Sequence, residues 1–196
     1  LLKEKKIQKQ LKLLLKKKII SEEKKKIKPK TTSTINDPQN TVNQLHEGLK
    51  KISNDDLNQV SDLINKTYNI EKMIAMIIGD IWEKMNKEKK QKLLKVFQEY
   101  IAKNYIRRFK KIKNFEFKSI KKKKFGNKYT LVKTKLIVDK SDEVLINYLL
   151  GIKEGKWKIF DVLLAGSISE IATKKSEFRK FLKDEKIDDL INALEK

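Results

Sequence analysis

The sequence predicts an α+β domain, with helices laid on one face of an antiparallel sheet. Three observations predict it. Apolar residues recur at helical spacing from Val42 to Phe109, the mark of amphipathic helices. The period then falls to 2 between Phe115 and Ala165, which reads as an antiparallel meander of four strands. Beyond Gly166 the helical spacing returns and continues to Leu194.

Each element has its own signal. Asp37-Pro38 is an N-cap followed by proline at the first helical position, and Val42, Leu45, Leu49 and Ile52 share the face behind it. Asn54-Asp55-Asp56 starts a second helix carrying Leu57, Val60, Ile64 and Tyr68. The segment Ile70 to Met85 is the most apolar: Met73, Ile74, Ile77, Ile78, Ile81 and Trp82 cover more than half its circumference. Such a helix is expected to be buried on two sides. A long helix follows Asn86, with Leu93, Leu94, Phe97, Tyr100, Ile101, Tyr105 and Phe109 on its inner stripe and lysines outside.

The strands come next. Phe115-Glu116-Phe117 opens the first, Gly126-Asn127 marks a turn, and Val132, Thr134, Leu136 and Val138 alternate along the second. After the polar turn Asp139–Asp142, Val144, Ile146, Tyr148, Leu150 and Ile152 alternate without a break. Glu154-Gly155 makes a tight hairpin into a strand where Phe160, Val162 and Leu164 share a face. Asp161 stands between them as an outward-facing residue. Ser167-Ile168-Ser169-Glu170 resembles a capping box and opens a helix through Leu182. A short helix from Ile187 to Leu194 closes the chain.

Composition narrows the function. The 196 residues suffice for one domain and a tail, and contain no Cys and a single His. Disulfides, thiolate zinc sites, iron–sulfur clusters and cysteine nucleophiles are therefore absent, and no second imidazole exists for a His-rich metal site. The formal charge is +22, from 48 Lys+Arg against 26 Asp+Glu, yet Arg107, Arg108 and Arg179 are the only arginines. Arginine is the fork that reads phosphates and guanine edges, so a lysine excess spread along the chain is a solvated surface more readily than a nucleic-acid interface. A basic nucleic-acid- or anionic-surface-binding module is the competing reading.

Residues 1–30 alone carry 13 Lys against Glu4, Glu22 and Glu23. They read either as a cationic amphipathic helix or as a disordered arm. Their longest apolar run, Leu13–Leu15, is too short for the core of a secretory signal. A mis-started reading frame would explain both features. With the polar linker 31–36 they form an N-terminal segment 1–36, set apart from a domain 37–196. No apolar run approaches the ~20 residues that span a bilayer.

Enzymology finds no foothold. There is no GxGxxG, P-loop, G-x-S-x-G or HExxH. His46, between Leu45 and Glu47, has no nucleophile beside it and reads as an ordinary exposed or capped histidine. Asp55-Asp56 and Asp188-Asp189 stand at helix starts, where carboxylates complement the helix dipole. No catalytic residue and no metal ligand is assigned. What remains is a large set of apolar and aromatic side chains pointing into one space, and periodicity cannot tell a packed core from a cavity.

A resemblance adds to this. Ile78-Gly79-Asp80-Ile81-Trp82, the long helix ending its first half in Phe97-x-x-Tyr100, the hairpin Gly155-Lys156-Trp157-Lys158-Ile159-Phe160-Asp161-Val162, and Gly166-Ser167-Ile168-Ser169 followed by Ser176-Glu177-Phe178 and Ile187-Asp188-x-Leu190 occur in one order. Across about residues 38–195 this succession resembles the MlaC (toluene-tolerance) family, periplasmic phospholipid-binding components of an ABC transport system. This chain has Ala165 where the family usually has an acidic residue before the glycine, and its Gly166-Ser167-Ile168-Ser169, in place of the family's Gly-apolar-Ser, looks closer to the hopanoid-biosynthesis-associated branch.

The resemblance implies an NTF2-like fold, with a deep apolar cavity between a curved sheet and its helices. It also implies a monomeric carrier that shuttles phospholipid between an outer-membrane lipoprotein complex and an inner-membrane ABC transporter, sustaining outer-membrane lipid asymmetry. No cofactor, enzyme activity or nucleic-acid partner follows, and phospholipid is cargo. The expected lining is Ile74, Ile77, Ile78, Phe97, Tyr100, Ile101, Leu136, Val138, Ile146, Tyr148, Leu150, Phe160, Val162 and Leu164. Arg107 and Arg108, near the end of the long helix, are the expected head-group contacts.

Overall fold

The computed structural model describes residues 37–51, 56–112, 114–126, 128–139, 142–183 and 185–196. The expected basic arm and linker of residues 1–36 lie outside them, as do Ile52, Asn54, Asp55 and Asn127.

Five helices come first. Helix α1 is Pro38–Lys51, α2 is Leu57–Thr67, α3 is Ile70–Ile78, α4 is Ile81–Lys84 and α5 is Lys87–Phe109. Four of them, all but α4, start at a side-chain cap. Asp37 accepts a hydrogen bond from the Gln39 amide at 2.9 Å, Asp56 from Gln59, Asn69 from Lys72 and Asn86 from Lys89. Each side-chain oxygen satisfies an amide that the helix itself cannot.

The strands follow as β1 Phe115–Phe125, β2 Tyr129–Val138, β3 Asp142–Lys153, β4 Lys156–Leu164 and β5 Ile168–Ser169. Helices α6 Glu170–Glu177, α7 Arg179–Lys183 and α8 Ile187–Glu195 end the chain. The sheet is antiparallel in the order β1-β2-β3-β4-β5. It has five strands where periodicity predicts four. The fifth is the pair Ile168–Ser169 beside Leu164 and Leu163, too short to show an alternation.

Three further departures have local causes. The apolar segment Ile70–Met85 is two helices, because Gly79 takes φ +62° and ψ −135° and ends α3. Side chains with a Cβ rarely adopt that backbone, so Gly79→Ala is expected to cost about 1–3 kcal/mol of stability, read from urea unfolding. The helix predicted through Leu182 breaks at Phe178, whose amide bonds back to Lys174 and whose ring is buried. Strand β4 carries a bulge: Asp161 pairs with Leu149 but Ile159 pairs with Leu150, leaving Phe160 unmatched. Ile159, fully buried, takes the inward position that strict alternation gives to Phe160.

The helix layer and the sheet share one core. Leu45, Ile64, Ile74, Leu93, Leu150, Ile159 and Leu190 have no measurable exposure within it. The Asn69 amide donates to the Ile159 carbonyl at 2.7 Å, tying the α2–α3 junction to β4 and fixing Tyr68 against the sheet. The free edge of β1 carries Lys118 and Lys121–Lys124, charges that discourage another strand from adding there.

Candidate functional site: an apolar cleft between helices and sheet

Five elements and one junction converge on a narrow cleft. Helix α3 contributes Met73 and Ile77, and α5 contributes Phe97, Tyr100, Ile101, Asn104, Tyr105 and Arg108. Strands β3 and β4 add Ile146 with Tyr148 and Val162 with Leu164, while α6 adds Glu170, Ile171 and Lys174 and the α2–α3 junction adds Tyr68. About 690 Å³ of non-atom space lies along these walls, open solvent at the mouth included.

Of the residues expected from sequence to line a cavity, Ile77, Phe97, Tyr100, Ile101, Ile146, Tyr148, Val162 and Leu164 stand on its wall. Ile74, Ile78, Leu136, Leu150 and Phe160 are buried in the core off the wall, and Val138 is half-buried there. Arg108 is on the wall, and its Nη2 donates to Glu170 Oε1 at 2.9 Å. Arg107, one residue earlier, turns back along its own helix to donate to Asn104 Oδ1 at 2.7 Å.

Sequence reasoning missed Tyr68, Met73, Asn104, Tyr105, Glu170, Ile171 and Lys174. Met73 had a signal: it lies one turn from Ile77 on the same stripe. Glu170 and Lys174 had none, since nothing local says that α6 returns to α5.

The cleft has a charged edge and a polar floor. At the edge, burial is the largest single effect on the Lys174 ammonium and disfavours it, but Glu177 and Tyr100 together outweigh burial and its pKa is raised. Arg108 and Glu170 complete the edge. At the floor the Tyr148 hydroxyl meets His46 Nε2 at 3.0 Å, and the imidazole stacks on Phe117 with ring centroids 3.7 Å apart. His46 is therefore neither exposed nor a cap; it is 4% exposed and built into the wall behind the cleft.

Burial, with Lys50 nearby, pushes the His46 pKa from 6.5 down to about 3. Between those values the unfolded chain binds a proton that the folded chain does not. The resulting stability is complete above pH ~6.5 and drains away as pH falls towards 3. His46→Gln cannot titrate there, so its melting temperature is expected to fall less steeply than that of wild type between about pH 7 and pH 4. Parallel curves in thermal melts would show that acid sensitivity arises elsewhere.

Asp161 also departs from expectation. It is 5% exposed, and its carboxylate accepts hydrogen bonds from the Val162 and Ile171 amides and from Ser169 Oγ. It anchors the start of α6 instead of facing solvent. Among the described residues no three His, Asp or Glu side chains gather to hold a metal ion, and no helix is long and apolar enough to cross a membrane.

The family model "MlaC protein" matches residues 32–196 of this chain. Among solved structures, the fold is similar to that of the phospholipid-binding protein from Ralstonia solanacearum, solved in complex with a phospholipid. The TM-score is 0.68 at 18% identity, over 81% of this chain and 94% of that one. No curated protein matches the chain. With a family match that spans both layers and every wall of the cleft, the chain belongs to the MlaC family.

Proposed function

We propose that this chain is a periplasmic phospholipid carrier. It would move lipid between an outer-membrane lipoprotein complex and an inner-membrane ABC transporter, acting as a monomer and without catalysis. One observation carries the reading: a slot walled by aliphatic and aromatic side chains, with cationic groups collected at one edge. Membership of the MlaC family and the phospholipid bound by the Ralstonia protein support it.

The physics is that of transfer from water. Each exposed CH₂ of an acyl chain costs ~0.8 kcal/mol, so a carrier must keep tails dry while the head group stays wet. Met73, Ile77, Phe97, Ile101, Ile146 and Val162 provide the dry surface. Arg108 and Lys174 at the edge suit a phosphate, with Arg108 exchanging its bond to Glu170 for one to the lipid.

Mass spectrometry of the organic-solvent extract of the purified protein tests this. Phospholipid in roughly stoichiometric amount is expected. An extract free of lipid, from a protein that instead binds DNA with steep salt dependence, would overturn the carrier reading in favour of the basic-module one.

A further inference from the structure

The cleft contains a hydrogen-bond donor with nothing to receive its proton. Tyr68 and Tyr105 hydroxyls meet at 2.5 Å, with their rings edge to face. Each phenol carries one O–H, and the contact between them uses only one of the two. Among the described residues no other hydrogen bond reaches either oxygen. Elsewhere in the cleft the Tyr148 hydroxyl is engaged with His46, and the Lys174 ammonium lies over the Tyr100 ring at 5.2 Å. The nearby carboxylate, Glu170, is held by Arg108. Tyr68 is 4% exposed and Tyr105 half-buried, so the pair stands within the cleft wall.

We infer that the Tyr68–Tyr105 hydroxyl pair is a subsite for the ester carbonyl of an acyl chain. A carbonyl oxygen accepts hydrogen bonds and cannot donate, which complements a pair with one O–H to spare. Within the pair one hydroxyl donates to the other, and the second donates to the ligand with its polarity strengthened by the first.

Helix α5 places the pair between a cationic residue and apolar wall. Arg108, Tyr105, Ile101 and Phe97 succeed one another along it at three- and four-residue steps. At ~1.5 Å per residue, Tyr105 lies about 4.5 Å from Arg108 along the helix axis, with apolar wall residues beyond it. An ester lipid presents its charge, its carbonyl and its chain in that order. Burial chiefly raises the Tyr68 pKa well above 10.0, and raises that of Tyr105 to about 12 against the lowering pull of its bond to Tyr68 and of the Arg108 charge. Both hydroxyls therefore remain protonated, and available as donors, at any physiological pH.

The inference rests on the carrier reading and is separable from it by experiment. The full chain, stripped of lipid, would be titrated with a diacyl phosphatidylglycerol, with its dialkyl ether analogue of equal chain length, and with the free fatty acid. A three- to tenfold preference for the diester over the diether is expected, the size of one net hydrogen bond. Either hydroxyl alone can still donate to a carbonyl, so Tyr68→Phe or Tyr105→Phe is expected to reduce the preference only in part. The double variant is expected to bind diester and diether equally, its diester affinity falling to that for the diether; a merely structural role would lower both alike and keep their ratio.

A wild-type chain without preference, or a double variant that keeps it, would overturn the subsite while leaving the carrier reading intact. Tighter binding of the fatty acid than of the diester, lost in the double variant, would overturn the ester assignment in favour of a free carboxylate. Failure of wild type to bind any of the three would overturn both readings.

Discussion

Ile146→Asp is expected to empty the cleft of lipid while leaving a folded protein. Ile146 is 8% exposed, pairs with Leu164 across β3 and β4, and faces the cleft together with Tyr148. A carboxylate at this position has no cationic partner within the apolar wall and would lie against hydrocarbon in the loaded state. Either it stays ionised and dehydrated or it takes up a proton, and both routes cost several kcal/mol. Part of that cost is paid by the empty protein, whose melting temperature should fall; a domain holding ~5–15 kcal/mol survives this. The rest appears on loading, so extracted phospholipid per folded chain should drop at least tenfold.

Leu150→Ala is the matched control. Leu150 lies on the same strand face, fully buried but off the cleft wall. Its loss should cost ~2–5 kcal/mol through the cavity it leaves, while the fraction that remains folded keeps its lipid. Wild-type lipid content in folded Ile146→Asp would show that the cargo site is elsewhere.

The contrast between Ile146 and Leu150 marks the boundary of what sequence alone reveals. Element order was legible because the hydrophobic period changes from 3.6 to 2 and back, and because helix starts carry chemical signals at Asp37, Asp56, Asn86 and Ser169. Which buried face meets a void was not. On α3, Met73 and Ile77 form one stripe and Ile74 and Ile78 the next, ~100° around the helix. Both are apolar, yet only the first lines the cleft. A residue beside empty space and one beside another side chain have the same hydrophobic pattern.

Long-range polar partners were equally invisible. Tyr148 meets His46 across 102 positions, and Arg108 reaches Glu170 across 62. Neither separation follows a local period. Arg107 and Arg108 are adjacent in sequence and about a quarter-turn apart on the helix, and only the tertiary placement of α6 decides which one faces the cleft.

Asp161→Ala is expected to produce the largest loss of stability. The carboxylate Oδ1 accepts from the Val162 amide at 2.8 Å and the Ile171 amide at 3.1 Å, while Oδ2 accepts from Ser169 Oγ at 2.6 Å. Ser169 Oγ in turn accepts from the Ala172 amide at 3.0 Å as the N-cap of α6. Removing the carboxylate leaves two buried backbone donors without their acceptor, and frees a part-buried hydroxyl that can turn to water. At ~1–3 kcal/mol for each unsatisfied buried group, partly relieved by rearrangement, a loss of about 3–5 kcal/mol follows. Asp161→Asn should cost much less, because its amide oxygen can still serve both backbone donors and its NH₂ can donate to Ser169 Oγ. Urea midpoints in the order wild type, Asn, Ala check this, and equal midpoints for Asn and Ala would show that the carboxylate's hydrogen bonds do not hold α6. The consequence reaches the cleft, since α6 carries Glu170, Ile171 and Lys174. Once α6 loosens, one wall and half of the charged edge go with it, so lipid retention in Asp161→Ala should fall together with the midpoint, whereas in Ile146→Asp it falls far ahead of it.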